Sequence, residues 1–480
     1  MLGNPVGRCY RHAMTRISTF GDDALGDLDA VGVVEALRSG AVSAAEVVHA
    51  AIARTEKADP ELGGLAYEAY EQARQRASAP RPFGGFFDGV PTFIKDNVAV
   101  GGWPTQQGTD AWTPRPMPAD GNFARMYLST GLVPLGKTQL SEFGFSASAE
   151  HPRLGPVRNP WDTTVTAGAS SSGAGAFVAA GVVPIAHAND GGGSIRIPAA
   201  CNGLVGLKPT RGRLPIDRET WMPLQIVANG VVTRSVRDTA AFYREAEKIY
   251  RSPKLPVIGD VTGPGRRRLR IAVCTSSIGR DASPEIRDLT AKVAAQLEGL
   301  GHRVDSIGNP VPDRFRDDFL LYWAFLAFAL VRGGKRTFGP SFDRSKLDNL
   351  TLGLDRQAAR NLHRLPAAIA RLSASRRIPA RLAQDYDVVL TPTLAHVTPK
   401  IGYLDPTADY DQIISRLIDW VGFTPLQNAS GAPAISLPLA QSADGLPVGM
   451  MLGAAAGQEA LLLELAYELE QAIGWPTLAR

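Results

Sequence analysis

Residues 168–196 read GASSSGAGAFVAAGVVPIAHANDGGGSIR, two knots of glycine and serine around a short apolar run. The first knot holds Ser170, Ser171 and Ser172 in a row, and the second sets Ser194 directly behind Gly191, Gly192 and Gly193. Three glycines before a serine let the backbone turn its amides toward one point, because no Cβ restricts φ. Converging N–H groups beside a hydroxyl are what acyl transfer needs, a nucleophile next to donors for a developing oxyanion. Glycine and serine also make ordinary polar turns. The rest of the chain has to decide between the two readings.

A serine hydroxyl attacks poorly until a base takes its proton. His187 is the only histidine near either knot, and inside VVPIAHAND it reads as a packed, hydrogen-bonded side chain rather than a base. The G-x-S-x-G elbow of α/β-hydrolases is absent. The remaining candidate base is a lysine, which serves only where burial removes its charge. Lys95 ends the apolar run GVPTFIK and is followed by Asp96 and Asn97. Lysine rarely lies on a buried strand, although a strand-end lysine can also snorkel to water.

The bulk composition excludes several classes. The chain has 480 residues, 44% hydrophobic and 20% charged, as in a globular protein with ample core. Its 51 basic and 47 acidic residues leave a net charge of +4, which argues for neither nucleic acid nor membrane as a partner. Cys9, Cys201 and Cys274 have no disulfide or zinc spacing. Cys201 follows Ser194 closely, but a small buried residue is its default role. The longest apolar runs, AFVAAGVVPIA and YWAFLAFALV, fall well short of a ~20-residue membrane span. The opening MLGNPVGRCYRHAMTRISTF lacks the apolar stretch of a signal peptide, so a cytoplasmic location is expected. Residues 1–22 read as an N-terminal extension, with 1–13 poorly ordered and Met14 an alternative start.

After Gly26, apolar residues recur at helical spacing, broken at Ser39–Gly40 and restarted at Ser43, which predicts two helices. Between 83 and 240, short apolar runs (GVPTFIK, GLVPLGK, VVPIAHA, LVGLKPT) alternate with glycine, proline and serine. Buried short strands among helices make an α/β core. LRIAVCT and YDVVLTPT read as further strands, and PEIRDLTAKVAAQLEGLGH as a helix closed by Gly301. Residues 429–452 read as a hairpin turning near Asp444–Gly445, and QEALLLELAYELEQAI as a closing helix. Residues 313–385 are aromatic, arginine-rich and helical in period, which predicts an inserted helical cap. The expectation is one large α/β/α domain over 23–480, with a mixed central sheet covered by helices.

The motifs together resemble the amidase signature family of serine hydrolases. The likeness runs from about 85 to 240 and resumes at 386–465. GASSSG (168–173) and DGGGSIRIP (190–198) carry the core motif, and GVPTFIKDN carries the lysine segment. GKTQLSEF (136–143), GPVRNPWD (155–162) and FTPLQNASGAPAISLP (423–438) match further blocks in order. The resemblance implies a triad with Ser194 as nucleophile, Ser170 as a bridging serine on a cis peptide and Lys95 as base. It implies an oxyanion hole from the amides of Gly191, Gly192, Gly193 and Ser194, with Ser171 a hydrogen-bonding helper. Asp190 and Arg196 would form a buried scaffold. Ala169 and Ser172 replace family glycines, and Gln139 stands where relatives often carry asparagine. No metal or organic cofactor is implied.

The implied activity is hydrolysis of a small-molecule amide, with a homodimer left open. A glutamine-hydrolysing amidotransferase subunit working with partner proteins carries the same motifs and is the alternative. Phe143, Gly144, Phe145, Trp323 and Phe423 are candidates for the acyl pocket, with Trp420 beside them. No lone charge marks a charged substrate, so a neutral, partly apolar or aryl amide is expected. GLVPLGKT (131–138) matches the phosphate-loop pattern letter for letter. Its interior is strand-like, however, and Pro134 has no amide to offer phosphate.

Overall fold

The computed structural model describes residues 15–79, 84–217 and 222–479. The expected disorder of residues 1–13, and Cys9 with it, lies outside them. Residues 15–22 run along the body: the Ile17 amide donates to Pro160 O at 2.9 Å, and Thr19 N to Ala180 O at 2.8 Å.

Two N-terminal helices follow, Ala30–Ser39 and Ala44–Leu62. Gly40 ends the first in the left-handed region at φ 73°, where only glycine is unstrained. Ser43 starts the second through a reciprocal capping box with Glu46, which satisfies two otherwise orphaned amides.

The central sheet has eight strands, in the spatial order Arg303–Ser306, Arg270–Val273, Val388–Pro392, Pro447–Gly453, Ala434–Gln441, Val205–Lys208, Ala228–Thr233, Ile185–Asp190. The first three are mutually parallel and the remaining pairings are antiparallel, so the sheet is mixed. Both strands of the 434–453 hairpin are almost wholly buried, as their apolar runs require, and Gly445 turns it at φ 79°. A separate sheet sets Val133–Thr138 between Leu65–Glu68 and Pro91–Lys95. It docks beside the eighth strand of the large sheet, where Thr92 Oγ1 donates to Ile185 O at 2.9 Å and Lys95 N to His187 Nδ1 at 3.1 Å.

The segment resembling a phosphate loop is therefore a buried strand. Its Lys137 is fully buried, 3.2 Å from Asp96, and donates to Pro104 O. Helices Arg314–Phe338, Asn349–Asn361, Leu365–Ala374 and Arg377–Asp385 make up the 313–385 segment. The first three share an apolar core of their own with Phe145, Ile197, Cys201 and Trp420, and so cover the glycine–serine loops, while the fourth has no buried residue. No helix among the described residues is long and apolar enough to cross a membrane.

Candidate active site

Lys95 ends a strand that is buried at all five positions. Its own side chain is inaccessible to water. Nζ lies 2.7 Å from Ser170 Oγ, 2.8 Å from Asn189 Oδ1 and 3.5 Å from Asn189 O. Burial pushes the amine down to about 7, against the opposing pull of Asp190. A neutral amine has two N–H groups and one lone pair. The two carbonyl oxygens of Asn189 can accept the N–H groups only, which leaves the lone pair for the Ser170 hydroxyl proton.

Ser170 follows a cis Ala169–Ser170 peptide. Its neighbour Ser171 donates to Ser194 O at 2.6 Å and to Asn189 O at 3.3 Å. These bonds dock the first serine knot onto the second, and the Lys95–Ser170 contact ties the end of the lysine strand to the same pair of loops. Ser194 is nearly buried and lines a pocket.

The loop that carries Ser194 is held by Asp190 and Arg196. Arg196 Nε and Nη2 each donate to the carboxylate at 2.9 Å, and neither side chain is exposed. Arg196 Nη2 also reaches Asn428 Oδ1 at 2.7 Å, and Asn428 returns its amide to Asp190 Oδ1 at 2.8 Å. Burial alone would raise the Asp190 carboxyl, but the charge and hydrogen bonds of Arg196 hold it well below the usual carboxylate range. Asp190 Oδ1 takes the Gly193 amide at 2.7 Å, and Oδ2 takes the Ile195 amide at 3.2 Å. Gly193 therefore does not contribute to an oxyanion hole as the sequence suggested, because its N–H is spent on the scaffold. Among the described residues, no protein acceptor takes the amides of Gly191, Gly192 or Ser194. Gly193 has φ 140°, and a Cβ there would lie 2.5 Å from Thr424 Oγ1 and 2.6 Å from Ile197 Cδ1. Only glycine fits.

His187 packs as expected. It is buried, accepts the Lys95 amide and pairs with Asn229 Oδ1 at 3.2 Å; burial pushes it down to about 3. Burial pushes the Cys201 thiol up to about 12, so it carries no thiolate.

The pocket at Ser194 is open to solvent and spans about 650 Å³, counting the space at its mouth. Gly144, Phe145 and Trp323 line it, and the Trp323 ring packs over Gly191 and Gly192. Phe143 and Phe423 are not among its lining residues. The Phe143 ring stacks on Trp112 at 5.8 Å, and Phe423 lines a neighbouring cavity with Cys274, Leu382 and Leu426. Trp420 is fully buried against His396.

Over residues 46–463 the chain matches the family model described as Amidase. The chain belongs to the amidase family. It is 68% identical to the protein named "Putative amidase AmiC" of Mycobacterium leprae, over 96% of this chain and 98% of that protein. Among solved structures it is similar to 6-aminohexanoate cyclic dimer hydrolase complexed with substrate (TM-score 0.83, 29% identity, 95% of this chain and 98% of that one). A bacterial aryl acylamidase of the amidase signature family is similar at TM-score 0.83 and 27% identity, covering 93% of this chain and 96% of that one. The fold is also shared by a glutamyl-tRNA(Gln) amidotransferase component from Thermotoga maritima, at 23% identity and TM-score 0.75, over 94% of this chain and 96% of that one.

Sequence reasoning about this amidase missed Asn189, whose side chain receives Lys95 and bonds Asn97 Oδ1 at 2.9 Å. The signal was available, since Asn97 closes the lysine segment and Asn189 immediately precedes DGGGS. It also missed Phe319, Leu320 and Arg316, which line the pocket with Trp323. Positions 316, 319, 320 and 323 follow the helical period, so one face of a single helix supplies all four.

Proposed function

We propose that this amidase cleaves carboxylic amides through an acyl-enzyme on Ser194, with Ser170 as proton bridge and Lys95 as base. The observation that carries the reading is a fully buried Lys95 amine, 2.7 Å from Ser170 Oγ and held by Asn189. Neutral Lys95 accepts the Ser170 proton as Ser170 accepts the proton of Ser194, and Ser194 Oγ attacks the amide carbon. The oxyanion forms beside the uncommitted amides of Gly191, Gly192 and Ser194. One such donor is worth about 2.7–4 kcal/mol in the transition state. The relay then runs backwards: protonated Lys95 returns its proton through Ser170 to the leaving nitrogen, the C–N bond breaks, and water resolves the ester.

The pocket walls are almost wholly apolar, which favours an apolar or aryl acyl portion over the polar side chain of glutamine. The relatives named for a cyclic amide dimer and for aryl acylamides point the same way. The test is a panel of aliphatic, aryl and glutamine amides offered to the wild type, Ser194→Ala and Lys95→Ala. Hydrolysis of apolar or aryl amides is expected, abolished by Ser194→Ala and collapsed near neutral pH by Lys95→Ala. Near-normal turnover by Lys95→Ala would overturn the relay, and exclusive glutaminase activity would favour an amidotransferase subunit.

A further inference from the structure

Among the described residues, Arg316 is the only charged one in the wall of the Ser194 pocket. It sits near the start of the helix Arg314–Phe338, on the face that also presents Phe319, Leu320 and Trp323. Trp323 marks the reacting end: a Cβ built on Gly191 would lie 3.5 Å from its Cζ3, and one on Gly192 3.7 Å from its Cη2. Arg316 lies seven residues earlier on the same face, about 10 Å along the helix axis. Phe319 and Leu320 lie between them on the helix, and Ile414 and Leu417 add further apolar surface to the pocket wall.

Among the described residues the guanidinium is only partly engaged. Nε pairs with the adjacent Asp317 at 3.1 Å, and both side chains are about half exposed. Such a pair is worth ~1 kcal/mol or less. Among the described residues no acceptor takes either Nη. A guanidinium with uncommitted N–H groups in the wall of an otherwise largely apolar pocket matches a carboxylate.

We propose that this pocket selects amides whose apolar acyl portion ends in a carboxylate, read by Arg316. The inference rests on the acyl-transfer reading above and names the substrate class for the same site. The apolar stretch lies along the apolar wall that Phe319 and Leu320 share with Trp323, and the anion stays at the half-exposed guanidinium, where it keeps part of its hydration.

The test compares the monoanilide of a linear diacid of about eight carbons, matched to the ~10 Å along the helix, with its ω-methyl ester. The wild type is expected to prefer the free carboxylate about fivefold in kcat/KM, the worth of a half-exposed ion pair, with the difference in KM. In Arg316→Gln the ratio falls to about one, in Arg316→Glu it inverts, and Arg316→Lys keeps part of it. An equal ratio in the wild type and Arg316→Gln, or a wild-type preference for the ester, would overturn the proposal. If neither anilide is cleaved, the acyl-transfer reading fails for them, and binding still decides the Arg316 question. Calorimetry on Ser194→Ala, with and without Arg316→Gln, should then show the same fivefold preference and its loss. Equal binding of the two anilides to Ser194→Ala would overturn it.

Discussion

Replacing Lys95 by methionine should change the stability of the protein in a pH-dependent way that a merely structural lysine could not produce. In the unfolded chain Lys95 holds its proton up to its ordinary 10.5, whereas the folded chain releases it near 7. Between those values the unfolded state binds more protons, so wild-type stability rises with pH across the window. At roughly 1.36 kcal/mol per pH unit, the penalty for burying this side chain is of order 5 kcal/mol below pH 7 and vanishes by about pH 10.5. Methionine carries no such penalty, but it abandons Ser170 and Asn189 Oδ1, at about 1–3 kcal/mol for each polar group left unpaired. That loss does not depend on pH, so the clean quantity is the difference between variant and wild type. Lys208 is equally buried and also pushed down to about 7, but it is present in both proteins and cancels. For a domain of this size, ~1 kcal/mol corresponds to about 1–2 °C in Tm. Differential scanning at one fixed scan rate, from pH 6 to pH 10, covers about 4 kcal/mol of that change and should show the Tm of Lys95→Met falling relative to wild type by about 4–8 °C as pH rises. A Tm difference that stays flat across that range would show that Lys95 is an ordinary charged lysine, and the relay would lose its base.

Other consequences follow from the same geometry. Because the relay uses the neutral amine, kcat/KM should rise with pH through a midpoint near 7, as Lys95 loses its proton; a profile falling through that midpoint would contradict it. Gly193→Ala puts a Cβ 2.5 Å from Thr424 Oγ1 at a φ of 140°, so the loop must move. A shift of ~1 Å in a catalytic group costs about a hundredfold, so steady-state kinetics should show kcat falling by about that factor while circular dichroism stays native. Arg196→Gln strands the Asp190 carboxylate in a buried site, at about 3–5 kcal/mol, which thermal unfolding should register as a clear loss of Tm.

Much of this was legible before the structure. The short apolar runs, capped helices and glycine turns encode local backbone preferences, so strands such as Val388–Pro392 and the hairpin at Gly445 could be placed from composition alone. The side chains of the proposed relay stood out in the sequence because the lysine ends an apolar, buried run, and because the family motif holds both serines. What escaped depends on orientation. A glycine amide carries no label for its acceptor, so Gly193 read as an oxyanion donor although Asp190 takes it. Aromatic identity does not say which cavity a ring faces, so Phe143 and Phe423 were assigned to a pocket that Phe319 and Arg316 line instead. Asn189 was hidden by its neighbours, since its side chain acts on a lysine 94 residues away in sequence.

The measurement closest to the central claim is rapid-quench mass spectrometry with peptide mapping during turnover of an aryl ester or anilide. Acylation of Ser194 alone, on the peptide that contains Gly191–Gly193, is the predicted result, with the adduct forming far more slowly in Lys95→Ala. An acyl group found on Ser170, on Cys201 or on any other side chain would contradict the account, as would steady turnover with Ser194 never modified.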